Sequence, residues 1–228
     1  MLIFGLINIV SCAPKDAQVE QANCGVFSES QQLTYLALGD SYTIGEGVDE
    51  DSRWPKQLEK KLMANNCTVA STSVLAQTGW TTRDLIESLN TADLGQFDLV
   101  SLSIGVNNQY QGLSFDEFKI EFEELLNASV QLSGDSSRVF VVSIPDYGLT
   151  PFGSSNAETI AQELDNYNDF SAQICEERSI PYIDITTISR TLGASNGALA
   201  SDNLHPSGSQ YAAWVEEILP VVLELLRD

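Results

Sequence analysis

Hydrophobic positions along the chain alternate between two kinds of run. Short stretches rich in Val, Ile, Leu and Tyr, with few charges, occupy 33–38, 68–73, 98–104, 138–144 and 181–185. Runs of this length without regular polar alternation are expected of strands covered on both faces. Between them the apolar residues recur at helical spacing. Segments 54–65 and 82–90 read as helices, and 115–132 puts Phe115, Phe118, Phe122, Leu125 and Leu126 on one stripe. Segment 157–177 does the same with Ile160, Leu164, Tyr167, Ser171 and Ile174. A last helix starts at about 208, behind a capping-box pair of Ser207 and Gln210. Its apolar face is Tyr211, Trp214, Val215, Ile218, Leu219 and Val222, and Pro220 is expected to bend or interrupt it.

Repeated strand–helix alternation implies an α/β domain with a parallel sheet, right-handed crossovers and helices on both faces. In such sheets ligands sit beyond the carboxyl ends of the strands, where strand order reverses. The chemistry is therefore sought just past each strand.

Ahead of the domain the pattern changes. Residues 1–10 are apolar but far short of the ~20 needed to span a bilayer, so they read as the core of an export signal. They lead into Ile9-Val10-Ser11-Cys12, which resembles the lipobox of bacterial lipoproteins, although no Lys or Arg precedes the apolar run. That resemblance implies cleavage before Cys12, acylation of its thiol, and an exported protein lipid-anchored to a bacterial membrane. Residues 13–23 are polar and aperiodic, as in a tether. The expected division is 1–11 signal, 12–32 anchored Cys and tether, and 33–228 the α/β domain. Of the other cysteines, Cys24 and Cys67 are favoured as a disulfide over pairs with Cys175, which falls on a helix's apolar face. The alternative is that all three are small buried hydrophobes.

The composition excludes some partners. Eleven Lys+Arg stand against 32 Asp+Glu, a net charge of −21, and so acidic a surface repels nucleic acid and anionic lipid. Membrane contact is expected only through the Cys12 anchor, and a monomer is expected. Glu46, Asp49, Glu50 and Asp51 cluster after the first strand but lack regular ligand spacing, so a solvated loop is favoured over calcium. No metal or cofactor is expected, and no glycine-rich phosphate loop ends in Lys-Ser/Thr.

Polar clusters follow the strands: Gly39-Asp40-Ser41, then Gln77-Thr78-Gly79-Trp80, then Gly105-Val106-Asn107, and finally Asp202-Asn203-Leu204-His205. A serine hydroxyl is a weak nucleophile that needs a neighbouring base. His205 is the only histidine in the chain, hence the only imidazole for that task. Asp202, three residues earlier, can hold Nδ1–H and leave Nε2 for Ser41. An oxyanion needs donors, which a glycine N–H (Gly79) and a neutral amide (Asn107) can supply. Taken singly, each of these residues reads equally well as a cap, a turn or a surface side chain.

In this order and rough spacing the blocks resemble the SGNH (GDSL) hydrolases, from about Tyr35 to the C-terminus. The resemblance implies a flavodoxin-like three-layer α/β/α sandwich whose five-stranded parallel sheet runs 2-1-3-4-5. It implies a carboxylic ester hydrolase working through an acyl-enzyme, with Ser41 as nucleophile, His205 as acid/base and Asp202 as its orienter. Ser41 N–H, Gly79 N–H and the Asn107 amide would form the oxyanion hole, and Asp40 would bond within its own turn. Gln109 and Tyr110, next to the asparagine, could reshape the pocket. Trp80, Tyr110, Tyr147 and Phe152 could form an apolar wall for a small-molecule or glycan ester, or be ordinary loop packing. Two other readings use the same crevice. One is a carbohydrate O-acetyl esterase or acyltransferase; the other is a surface binding module without catalysis.

Overall fold

The computed structural model describes residues 24–27 and 31–227, so the expected signal, Cys12 and most of the tether lie outside the described residues. Five parallel strands form one sheet in the order β2-β1-β3-β4-β5. They are β1 (Leu33–Gly39), β2 (Val69–Ala76), β3 (Leu99–Ser103), β4 (Val139–Val142) and β5 (Tyr182–Ile183). The helices are α1 (Ser41–Ile44), α2 (Trp54–Ala64), α3 (Thr82–Thr91), α4 (Val106–Tyr110) and α5 (Phe115–Ser133). They continue with α6 (Ala157–Glu177), α7 (Thr186–Leu192) and α8 (Gly208–Leu225). This is the sandwich and the strand order that the family resemblance implies.

The crossover from β1 to β2 runs one way across the sheet and the later ones run the other. Right-handed connections therefore put α2 on one face and α3, α5 and α6 on the opposite face. Helix α8 packs on α2, completing the first layer. The two layers cover the central strands: every residue of β3 and β4 is buried, while β2, at the edge, is mostly half-buried. The apolar stripe of α5 meets α6 in a cluster of Phe115, Phe118, Phe122, Tyr167 and Phe170, with the Phe118 and Tyr167 ring centroids 4.3 Å apart. Tyr35, fully buried in β1, satisfies its hydroxyl on Ser101 Oγ of β3 at 2.8 Å.

Three expectations need correction. Helix α8 is not interrupted at Pro220. The carbonyl that proline leaves without a partner belongs to Glu216, and both residues sit on the exposed face, open to solvent. Strands β4 and β5 are shorter than their hydrophobic runs because side chains take over the ladder. Asn168 of α6 accepts from Ile144 N at 2.8 Å and donates to Ile144 O at 3.0 Å, and Ser143 Oγ accepts from Ile185 N at 2.8 Å. At Ser207 only half of the capping box forms: its hydroxyl accepts from Gln210 N at 3.3 Å. The complete box is Thr81 with Asp84, opening α3.

Cys24 and Cys67 are joined in a disulfide, 43 residues apart in sequence, and Cys175 is free and buried on α6. Constraining a loop of that size is worth roughly 4 kcal/mol on the chain-entropy model. Replacing both cysteines by serine is expected to lower the unfolding free energy by about 2–4 kcal/mol in urea titrations. An unchanged midpoint would mean that the bridge contributes nothing to the folded domain.

Candidate active site

Ser41 opens α1, immediately after β1 ends. The N-cap of that turn is Asp40, whose side chain accepts from Tyr42 N at 3.0 Å, so it bonds within its own turn. Asp40 is buried, and burial pushes its carboxyl up to about 7. The N–H groups of Tyr42, of Asp40 itself and of Gly105 oppose that rise by favouring the charged form. The Gly105 contact ties the loop after β1 to the loop after β3.

His205 lies on a tight loop closed by an antiparallel bridge between Leu199 and Pro206. Asp202 does two jobs in it. Its Oδ1 accepts from Leu204 N at 2.9 Å and His205 N at 3.0 Å, while Oδ2 is 2.7 Å from His205 Nδ1. Burial pushes the Asp202 carboxyl up, but the bonds from the His205 ring and those two N–H groups outweigh it and hold the group below its ordinary value. An ionised carboxylate has no proton to give, so Nδ1 carries the hydrogen and Nε2 is left as the acceptor. The other face of the imidazole is set by Tyr42, whose ring meets it edge-on at 5.5 Å and rests in turn on Trp214 at 6.2 Å.

Gly79 is the third residue of a turn closed by Trp80 N donating to Gln77 O at 3.2 Å. Its φ of +87° is the value such a turn asks of glycine, and a Cβ there would meet nothing within 4 Å. The requirement is conformational, and the space beside the glycine is open. Asn107 sits in α4 and donates one amide hydrogen to Trp80 O at 2.8 Å, which fixes the amide and leaves the second hydrogen.

These residues share one cavity of about 230 Å³. It is lined by Ser41, Gly79, Asn107 and His205 together with Tyr42, Thr78, Val106, Tyr110, Tyr147, Phe152 and Leu204. Three of the four residues expected to form an apolar wall are among them. Trp80 is not: its ring is partly buried against the core, and only its carbonyl reaches toward the site. The wall is an aromatic trio, with Tyr110 5.7 Å from Phe152 and 6.3 Å from Tyr147. In the acidic loop after Ser41, Glu46 accepts from the Thr78 hydroxyl, Glu50 pairs with Arg53 at 2.8 Å, and Asp51 pairs with Lys60 at 3.2 Å.

Several supports were invisible in the sequence pattern. Asn108, buried beside Asn107, accepts from Thr82 N at 3.0 Å and donates to Thr82 Oγ1 at 2.6 Å. Thr82 bonds to Glu121, which pairs with Arg83 at 2.7 Å. Asp146 anchors the loop after β4 by accepting from Gly148 N at 2.7 Å and Arg190 Nε at 2.9 Å.

The model of the GDSL-like lipase/acylhydrolase family matches residues 37–213, most of the chain. The chain belongs to that family. This GDSL-like protein is therefore an ester hydrolase by class. No curated protein matches its sequence. Among solved structures it is similar to TesA (TM-score 0.66, 16% identity, covering 84% of this chain and 99% of that one). It is also similar to a lipase/acylhydrolase from Enterococcus faecalis (0.63, 17%, 85% and 96%). A third likeness is to a variant of Axe2, an acetyl xylan esterase from Geobacillus stearothermophilus (0.63, 21%, 83% and 94%). At these identities the likeness establishes the shared fold.

The environment of Asp40 has a measurable consequence for this GDSL-like hydrolase. The folded protein keeps the Asp40 proton up to about pH 7, whereas an unfolded chain releases it near 3.8. Between those values the folded state binds more protons, so this group removes stability as pH rises through the window. Asp40→Asn keeps an acceptor for Tyr42 N–H and abolishes the titration. Its stability relative to the parent should grow from about pH 4 to about pH 8 in urea titrations. A difference that stays constant over that range would contradict the assignment.

Proposed function

We propose that the protein is a serine esterase whose nucleophile is Ser41, with His205 as acid/base and Asp202 as the group that orients it. The observation that carries this reading is the 2.7 Å bond from His205 Nδ1 to Asp202 Oδ2, made by an imidazole that lines the same cavity as Ser41. In the first step Ser41 Oγ attacks the ester carbonyl while its proton passes to His205 Nε2. The developing negative oxygen is received by Ser41 N–H, Gly79 N–H and the second amide hydrogen of Asn107. The tetrahedral adduct collapses as His205 returns the proton to the departing alcohol, leaving an acyl-enzyme. Water repeats the sequence in reverse and frees the acid. Asp202 stabilises the imidazolium in both halves without taking its proton.

The open space beside Gly79 and the clamp of Asn107 on Trp80 O support the oxyanion assignment, since preorganised donors avoid reorganisation during reaction. Ser41→Ala or His205→Ala should lower kcat on p-nitrophenyl acetate by on the order of 10⁴–10⁶-fold with the far-UV spectrum unchanged. Asn107→Ala should cost roughly 10²–10³-fold, mostly in kcat. A neutral Asn107→Ala would remove that residue from the site's chemistry.

We propose also that the protein is exported and held on a bacterial membrane by acylation of Cys12. Its support is the residue pattern 9–12 and the Cys24–Cys67 disulfide, which suits an oxidising compartment. Cys12→Ala should move the protein from the membrane fraction to the soluble one. Retention in the membrane fraction would refute the anchor and leave the enzymatic reading untouched.

A further inference from the structure

Beyond the aromatic trio lies a second cavity of about 380 Å³, whose lining includes Gln109, Asn156, Thr159 and Glu163. The two cavities share three lining residues, Tyr110, Tyr147 and Phe152. These rings are therefore the partition between the space at Ser41 and the space behind it.

The partition is built firmly at its centre. Tyr147 is only 6% exposed, whereas Tyr110 and Phe152 are 56% and 51% exposed. The Tyr147 hydroxyl donates to Gln109 Oε1 at 2.8 Å, and Gln109 Nε2 donates to Glu163 Oε2 at 2.7 Å. Its backbone follows Asp146, which is pinned by Arg190 at 2.9 Å. A ring held from its hydroxyl and from its backbone does not swing aside to admit a long chain.

The space on the Ser41 side of the wall is also small. One water-sized group occupies about 30 Å³ in a liquid. A cavity of about 230 Å³ thus holds roughly eight such groups, and the reacting ester function takes about three of them. We propose that Tyr147 and Phe152 are chain-length determinants, restricting this hydrolase to esters of short acyl groups, up to about six carbons. This rests on the reading of Ser41 as the nucleophile. It adds the substrate class: acetyl- to hexanoyl-sized esters, with longer alkyl chains stopped by the wall.

The test is a panel of p-nitrophenyl acetate, butyrate and octanoate turned over by the full chain and by Tyr147→Ala and Phe152→Ala. The parent should lose at least about tenfold in kcat/KM between butyrate and octanoate, the scale on which a pocket discriminates added methylenes. Each variant joins the two cavities and should raise the octanoate-to-acetate ratio of kcat/KM by on the order of tenfold, chiefly through a lower KM for octanoate. Phe152, half-exposed on a loop, keeps the test alive should Tyr147→Ala fail to fold. A parent that prefers octanoate, or a ratio unmoved in every folded variant that still cleaves acetate, would overturn the proposal. A parent that cleaves none of the three esters would overturn the nucleophile reading itself, and the chain-length limit with it.

Discussion

The ends of β1 and β3 approach each other so closely that no side chain fits between them. A Cβ on Gly39 would lie 2.2 Å from Thr43 Oγ1 and 2.4 Å from the Ser103 carbonyl, the last residue of the neighbouring strand. Gly39 and Ser103 are register partners, so the two chains leave the sheet side by side. The next residues on one are Asp40 and Ser41; on the other they are Ile104, Gly105, Val106 and Asn107. The juxtaposition of hydroxyl and amide follows from strand order 2-1-3, in which the chain crosses from the edge strand β2 over β1 to β3. Adding a methyl group at position 39 would push apart the two loops on which the proposed chemistry depends.

Hydrogen bonds between the loops maintain what the sheet sets up, because each loop is held by its neighbour. The Gly105 N–H steadies Asp40, Asn107 holds the Trp80 carbonyl, Asn108 holds Thr82, and Thr78 reaches Glu46. Buried polar groups that satisfy one another fix geometry more tightly than apolar packing alone, and each would be costly if left alone. His205 is the exception. It arrives on a loop near the C-terminus, and its position comes from Asp202 on one side and the ring of Tyr42 on the other. Tyr42 follows the proposed nucleophile, so the same short helix carries Ser41 and supports the His205 ring.

Much of this was legible in the residue pattern, for identifiable reasons. The central strands are buried on both faces, which turns them into continuous apolar runs that stand out from helical spacing. The long helices α5 and α6 bury one stripe each, so Phe118, Phe122, Leu164 and Tyr167 disclosed their facing. Ser41, Gly79, Asn107 and His205, which line one cavity, stood out as spaced blocks past strand ends, and a lone histidine left one candidate imidazole. What stayed hidden has local causes. Helices α1 and α4 have 4 and 5 residues, too short to show a period. Strand ends fixed by Asn168 and Ser143 depend on contacts from elements distant in sequence. For Trp80 the residue pattern left a pocket wall and ordinary loop packing open, and the structure packs it against the core while its carbonyl serves Asn107. The capping pair Thr81 and Asp84 was there to be read three residues apart, and it marks the start of α3 better than the hydrophobic pattern does.

The central claim is that one hydroxyl, Ser41 Oγ, is made nucleophilic by one imidazole. Covalent labelling with a fluorophosphonate, followed by peptide mapping, interrogates that hydroxyl directly and needs no knowledge of the natural ester. A single adduct is expected on the peptide bearing Ser41, formed quickly by the parent and at a strongly reduced rate by His205→Ala. An adduct on another residue, or labelling of Ser41 at the same rate without the imidazole, would contradict it.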